Sequence, residues 1–304
     1  MSLNLPRLML LTLSLFASSA SLADITIYDS EGEKTFSKVP ERVVVLNWDL
    51  IEQVLELDVT PLGGPNIEGY NTWVAQPHAS KQVADIGTRA EPNLEKVAAL
   101  KPDVIIAASP QKDLLDSFSE IAPVVLLENY QGDYDAGEQA IANFRTLAKL
   151  FKKEALAEAK LEQLHSDLAS LKQQLEQSFG QELPSVLPAR FGSETTVFLY
   201  TENSSSDWVL KQLGLKNALS LPPTLWGTKQ MRIDQLKDLT DAYFLYILPF
   251  NEEAKLKKSF LWQAMPFVRA KHYNSVAPVW SFGGAMSLRY TAEAYTKSLL
   301  EIAQ

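Results

Sequence analysis

Residues Arg42–Leu46 read RVVVL. A continuous β-branched run, without the alternation of a half-exposed strand, marks a strand covered on both faces, as in a parallel sheet. Two more such runs follow at Asp103–Ala107 (DVIIA) and Pro123–Leu127 (PVVLL). Helical spacing separates them, at Leu50–Leu57, at Pro92–Leu100 with proline at the first turn, and at Leu114–Ile121. Strand, helix, strand, helix, strand predicts an α/β lobe with a largely parallel sheet. Upstream, Ile25–Tyr28 alternates weakly and reads as a short strand closed by a turn at Asp29–Gly32.

Downstream lies a long helical zone from about Ala136 to Phe179. Leu161, Leu164, Leu168, Leu171 and Leu175 recur in steps of three and four and form one apolar stripe. The stripe is short and lies between two α/β halves, so it predicts a helix packed along its own chain; a coiled-coil dimer is the alternative. Gly180–Gly192, with Pro184 and Pro188, reads as the break that ends this helix. A second α/β region then opens with a strand at Thr195–Tyr200 (TTVFLY) and a helix at Trp208–Leu213 stopped by Gly214. Strands follow at Ala242–Leu248 and Ser275–Val279, a short helix starts at Leu261–Trp262, and Ser287–Ala303 closes the chain as a helix. The plan is two α/β lobes bridged by a single long α-helix: residues 24–152, a connector at 153–179, and 180–304.

The chain has 304 residues, 46% hydrophobic and 21% charged, the profile of a globular protein. Its net charge of −9 argues against nucleic acid, whose phosphates need a basic footprint. No cysteine is present, which excludes disulfides, thiolate metal sites and cysteine nucleophiles. At the N-terminus, Arg7 precedes the apolar run Leu8–Phe16 and then Ser21-Leu22-Ala23. That order is the pattern of a secretory signal peptide over residues 1–23, cleaved after Ala23. With no cysteine at the junction no lipid anchor is expected there, and the mature chain is expected free in the periplasm.

Catalytic signatures are missing. His78, His165 and His272 are scattered and lack metal-ligand spacing. No Gly-x-Ser-x-Gly elbow, Gly-x-Gly-x-x-Gly fingerprint or Walker-type Gly-Lys-Ser/Thr string occurs. No carboxylate pair stands out for acid/base work. The expectation is a binding protein and not an enzyme, with no cofactor and no direct iron ligands.

Several strings resemble the periplasmic binding proteins for iron–siderophores, above all those of the ferric-hydroxamate (FhuD) type. They are Asp85–Glu95 (DIGTRAEPNLE), Phe260–Ala270 (FLWQAMPFVRA), Trp226-Gly227 and Val276–Gly283 (VAPVWSFG). Arg42–Leu46 and Tyr70–Val74 add weaker support. The resemblance implies a ligand cleft between the lobes, little hinge closure about the connecting helix, and delivery of a ferric siderophore by a monomer to an inner-membrane ABC permease. The iron arrives inside its chelator. Cargo of the same fold could also be a ferric catecholate, haem or a corrin; an exported α/β enzyme is the more distant alternative.

A ferric chelate presents partly negative oxygens in an apolar scaffold, so its pocket needs fixed donors and aromatic walls. The resemblance puts Arg89 at the chelate oxygens, where its planar fork supplies several donors; a surface ion pair with Glu91 is the alternative. Trp73, Trp226 and Trp280, with Phe282 and Thr228, are the expected walls. Trp262 reads as core, and Trp48 is undecided. The family often has tyrosine where Phe282 stands, and it has first-lobe aromatics where this chain reads Ala108–Lys112. The cleft is therefore expected to be roomier on that side. Lys229 and Arg232 suggest a more anionic cargo, such as a citrate-hydroxamate, with a solvent-facing role as the alternative. The resemblance also implies permease docking through Asp116 and Asp234.

Overall fold

The computed structural model describes residues 24–130, 132 and 134–303. The predicted leader, residues 1–23, lies outside the described residues. No helix among them is long and apolar enough to cross a membrane.

The first lobe runs β1 (Ile25–Asp29), β2 (Gly32–Phe36), β3 (Val43–Val45), α1 (Trp48–Glu56), β4 (Gly63–Gly64), α2 (Ile67–Trp73), β5 (Ala84–Asp85), α3 (Leu94–Ala99), β6 (Val104–Ala107), α4 (Leu115–Ser119) and β7 (Val124–Leu126). The hairpin β1–β2 stands apart, and the other five strands form one sheet in the order β5-β4-β3-β6-β7. Every pairing in that sheet is parallel. The three apolar runs are thus its central and last strands, buried on both faces. The helix expected from Pro92 begins two residues later, at Leu94. Asn93 is the cap, its side chain accepting from the Lys96 N–H at 2.8 Å.

The helical zone is two helices, α5 (Ala136–Leu150) and α6 (Glu154–Phe179). Lys152, with φ of 53°, breaks the turn between them. On α6, Leu161, Leu164, Leu168 and Leu175 are buried and Leu171 partly so. Each buried leucine contributes about 2 kcal/mol relative to exposure.

The second lobe runs β8 (Ser185–Ser193), β9 (Thr196–Tyr200), α7 (Ser205–Gln212), β10 (Lys216–Asn217), β11 (Thr228–Arg232), β12 (Ala242–Ile247), α8 (Glu253–Leu256), α9 (Phe260–Ala264), α10 (Pro266–Arg269), β13 (Tyr273–Val276) and α11 (Ala285–Leu300). Its sheet is ordered β11-β9-β8-β12-β13, with β10 also on β8. Gly180 does end α6 as its C-cap, but from Ser185 onward the segment read as a break is the central strand β8. Proline is tolerated there because residues 185 and 186 pair with β10 and residues from 189 onward pair with β9. Between them, at Pro188, the strand has only β12 beside it. The polar strand β11 gave no apolar pattern to read. Strand β13 ends before Val279, which releases Trp280 into a loop.

Period-two alternation divides the cores. Val44, Ile105 and Phe118 fill an outer core of the first lobe, while Phe244, Tyr246 and Trp262 fill one in the second. Their opposite faces share one continuous core. It holds Val45 and Ile106 from the first sheet, Leu245 and Ile247 from the second, and the α6 leucines. Both lobes therefore pack on the same helical layer.

Candidate ligand-binding site

Parallel strands deliver their following loops to one edge of a sheet, which is where ligands of open α/β sheets sit. Here the two lobes turn such edges toward each other across a cleft of about 660 Å³. The first lobe lines it with Asn47 after β3, Arg89 after β5, Pro110 after β6 and Tyr130 after β7. From the second come Phe198 and Tyr200 on β9, Trp226 and Thr228 around the start of β11, and Trp280 and Phe282 after β13.

The loop that carries Arg89 is tightly built. Gly87 takes φ of 109°, a conformation that favours glycine, and its N–H donates to Asp85 Oδ1 at 2.8 Å. The Glu91 N–H donates to Thr88 Oγ1 at 3.0 Å, and buried Gln111 donates through Nε2 to the Arg89 carbonyl at 2.6 Å. The guanidinium carbon lies 4.1 Å from the Trp48 ring centroid and 5.3 Å from that of Trp280. This is cation–π geometry on both indoles, and no ion pair with Glu91 forms among the described residues. Partial burial draws the Arg89 pKa down, against Asp49 and Tyr130, which raise it. A guanidinium stays charged regardless. Trp48, undecided from sequence, is the buried floor, its Nε1 donating to the Pro65 carbonyl at 2.8 Å.

Ring contacts continue across the gap. Trp48 meets Trp280 at 5.2 Å between centroids, and Trp280 meets Phe282 at 5.5 Å. Tyr130 meets Phe282 at 5.5 Å and Trp226 at 5.9 Å. The first lobe does supply an aromatic wall, from Tyr130 after β7 and not from Ala108–Lys112 after β6. At the rim Trp226 is 45% exposed, leaving part of its ring open to the cleft. Gly227 behind it takes φ of 64°, and a Cβ there would come within 3.2 Å of Ser204.

Of the residues singled out from sequence, Arg89, Trp226, Thr228, Trp280 and Phe282 line this cleft together. Trp73 does not. It is half-buried and meets the Arg190 guanidinium at 5.1 Å, and that cation in turn lies 5.6 Å from Trp280. Lys229 and Arg232 also stand outside the lining. Lys229 is exposed and sits one position along β11 from Thr228, so alternation turns it to the other face. Arg232 is exposed and paired with Asp234 at 3.0 Å. Asp116 is exposed on α4. Arg190, Tyr130, Phe198 and Tyr200 were not singled out. Arg190 lies in the strand hidden by Pro188, and Tyr130 follows a strand with no local motif around it.

Three buried carboxylates, Asp49, Glu52 and Glu56, lie on α1. Asn129 Nδ2 donates to Asp49 Oδ2, and burial raises the Asp49 carboxyl to about 7 against the opposing pull of Asn129 and Arg89. Glu52, one turn on, faces the second lobe and is raised to about 8, again by burial. Among the described residues no group of three or more His, Asp or Glu is arranged to hold a metal ion. The donor set suits a ligand that carries its own charge and shape.

The geometry agrees with known proteins. A crystal structure of Fe3+–Desferal-bound siderophore-binding protein FhuD from Vibrio cholerae superposes with a TM-score of 0.86 at 56% identity, covering 87% of this chain and 99% of that one. The iron(3+)-hydroxamate-binding protein FhuD of Escherichia coli (strain K12) is 28% identical over 82% of this chain and 83% of its own length. The Fe(3+) dicitrate-binding periplasmic protein FecB of the same organism is 30% identical over 83% of this chain and 81% of its own. The sequence pattern of the periplasmic binding protein family matches residues 43–274, from the first strand of the parallel sheet to the last strand of the second lobe, and the chain belongs to that family.

Proposed function

We propose that this chain is an exported, monomeric binding protein that takes up a ferric siderophore of the hydroxamate class and delivers it to an inner-membrane ABC permease. One observation carries the reading: a guanidinium held against two indoles, in an aromatic-walled cleft between two lobes. Arg89 donates to the chelate oxygens, and Trp226, Trp280, Phe282 and Tyr130 cover the organic scaffold, with Thr228 at the edge. The Fe3+–Desferal complex in the Vibrio cholerae relative supports a hydroxamate cargo. The basic, apolar and small-residue order of residues 1–23 supports export to the periplasm with cleavage after Ala23. Residues 24–152 and 180–304 then act as the two grips and 153–179 as their spacer. Asp116 and Asp234 offer one carboxylate on each lobe for the permease.

Tryptophan fluorescence tests the reading, because Trp226 and Trp280 line the cleft and Trp48 packs directly beneath Arg89. Ferric desferrioxamine should quench it saturably with one site per chain. A panel adding a ferric catecholate, ferric citrate, haem and cobalamin separates the cargo classes. Quenching by haem or cobalamin with no response to ferric chelates would overturn the assignment.

A further inference from the structure

We propose that the buried carboxylate of Asp49 sets the charge of cargo the cleft accepts, offsetting Arg89 from beneath and taking up a proton from solvent when an anionic chelate binds. This rests on the proposed siderophore function and adds a selectivity device to it.

The geometry is specific. Asp49 is 1% exposed, in the first turn of α1, directly after Trp48, whose ring carries the Arg89 guanidinium. One carboxyl oxygen accepts from Asn129 Nδ2, and the Asn129 backbone N–H donates to Ser109 Oγ at 3.2 Å. The other, Oδ1, is buried without a hydrogen-bond partner among the described residues. The backbone N–H groups of Leu50 and of Asp49 itself also favour its charged form, but burial outweighs them, so the carboxyl stands near half-protonated at neutral pH. Among the described residues no ion pair of 4 Å or less joins it to Arg89, whose side chain lines the cleft. The two interact through space across a poorly solvated floor, where charge–charge effects outlast the screening of bulk water.

The other charged or titratable groups around Asp49 are few. Tyr130, after β7, is held protonated by burial, with Asp49 and Glu52 adding to that effect. Glu52 lies on the same helix but spends its oxygens on Gly284 and Ser287. Lys112 and Glu128 satisfy each other at 2.8 Å. Arg190, a second cation lining the cleft, lies 5.6 Å from the Trp280 ring centroid. Asp49 is therefore the group whose charge changes most easily beneath the site. Its carboxyl sits at about 7.

A neutral chelate commits Arg89 without adding charge, and Asp49 stays as it was. An anionic chelate places negative charge over the same floor, which raises the Asp49 carboxyl further. Binding then takes up protons, so affinity for the anion falls as pH rises past 7. Asparagine at this position keeps the shape and an acceptor for Asn129 while removing the charge.

Calorimetry on the whole protein, in buffers of different ionisation enthalpy, reads this directly. With ferric citrate as probe at pH 7, about half a proton should be taken up per complex, and with ferric desferrioxamine almost none. Ferric citrate affinity of the wild type should fall about tenfold from pH 6 to pH 8 relative to Asp49→Asn, which should bind it about tenfold more tightly at pH 8. Desferrioxamine affinity should differ little between the two. A wild type that binds only desferrioxamine leaves the same demand, that Asp49→Asn gain citrate binding. Absence of proton uptake with citrate, or equal pH slopes in the two proteins, overturns the role of Asp49 while leaving the siderophore reading intact. Failure of the wild type to bind either chelate overturns both.

Discussion

Glu52, on α1 of the first lobe, accepts a hydrogen bond from the Ser287 backbone N–H at 2.7 Å, at the start of α11 in the second. The Gly284 N–H at 3.0 Å and the Ser287 hydroxyl at 2.5 Å donate to the same carboxylate. A side chain of one lobe thus caps a helix of the other, whose own N-cap, Gly284, has no side chain to do so. The approach requires Gly283 and Gly284. A Cβ on Gly284 would lie 2.2 Å from Gln53 Cγ, and one on Gly283 would lie 2.0 Å from Ser287 Oγ. One turn further along α1, Glu56 accepts from Tyr290 at 2.6 Å and pairs with Lys160 on α6. These polar contacts, on top of a shared apolar core, hold the lobes at one spacing.

Glu52→Ala should cost about 2–4 kcal/mol, from three donors left unpaired in a buried seam. Glu52→Gln separates charge from shape. Because burial raises the folded carboxyl from 4.5 to about 8, wild-type folding takes up a proton between those values. Its stability contribution is therefore complete below about pH 4.5 and is lost as pH rises toward 8. The advantage of wild type over Glu52→Gln should shrink between pH 5 and pH 9, read from denaturant midpoints. A gap that widens with pH would mean the seam needs the charged form.

Trp226 and Trp262 test what tryptophan does in each setting. Trp226 is 45% exposed at the cleft rim, whereas Trp262 is fully buried among Phe244, Tyr246 and Phe267. Trp226→Ala should leave stability within about 0.5 kcal/mol and weaken chelate binding about tenfold. Trp262→Ala should cost about 3–5 kcal/mol of stability. Denaturation midpoints and ligand titrations on the same two variants check both halves.

How much of this was legible from sequence depended on where the strands sit. Val43–Val45 and Val104–Ala107 are buried on both faces, so their composition alone announces a parallel sheet. Strand β8 carries Pro188 and Gly192, each normally a reason to reject a central strand, and only the change of neighbour along its edge makes room for them. With β8 unread, Arg190 inside it had no context. Strand β11 is a polar edge, so Lys229 looked like part of a cleft mouth until pairing fixed its face. Arg89 was legible through a family string, but its seat between Trp48 and Trp280 joins residues far apart in the chain. Asp49 and Glu52 look like ordinary acidic residues of an amphipathic helix, and only tertiary packing sets them apart: Asn129 after β7 holds Asp49, and the start of α11 holds Glu52.

Arg89→Ala should weaken ferric desferrioxamine binding by about 2–3 kcal/mol, the worth of hydrogen bonds to a charged donor. Arg89→Lys keeps the charge but loses the planar fork and its stacking on Trp48, so it should recover only part of that loss. Neither change should move the denaturation midpoint greatly, because the side chain is half-buried and its backbone is held independently by Gln111. Full affinity in the lysine variant would mean that charge alone, and not geometry, holds the chelate.

The two candidate docking carboxylates differ in a way that ranks them. Asp116 is exposed in the first turn of α4 and enters no ion pair among the described residues, so it presents full charge to a partner. Asp234 is already engaged by Arg232, at 3.0 Å and 3.1 Å, and a permease arginine would have to compete for it. Asp116→Lys should therefore impair chelate uptake more than Asp234→Lys, and the double variant should abolish it. Arg232→Ala should free Asp234 and, if that residue docks, leave uptake unchanged or improved. Chelate titration of each purified variant should match wild type, since neither residue lines the cleft. Uptake assays in cells lacking their own binding protein measure the ranking, and equal uptake by the double variant and wild type would remove both residues from the docking surface.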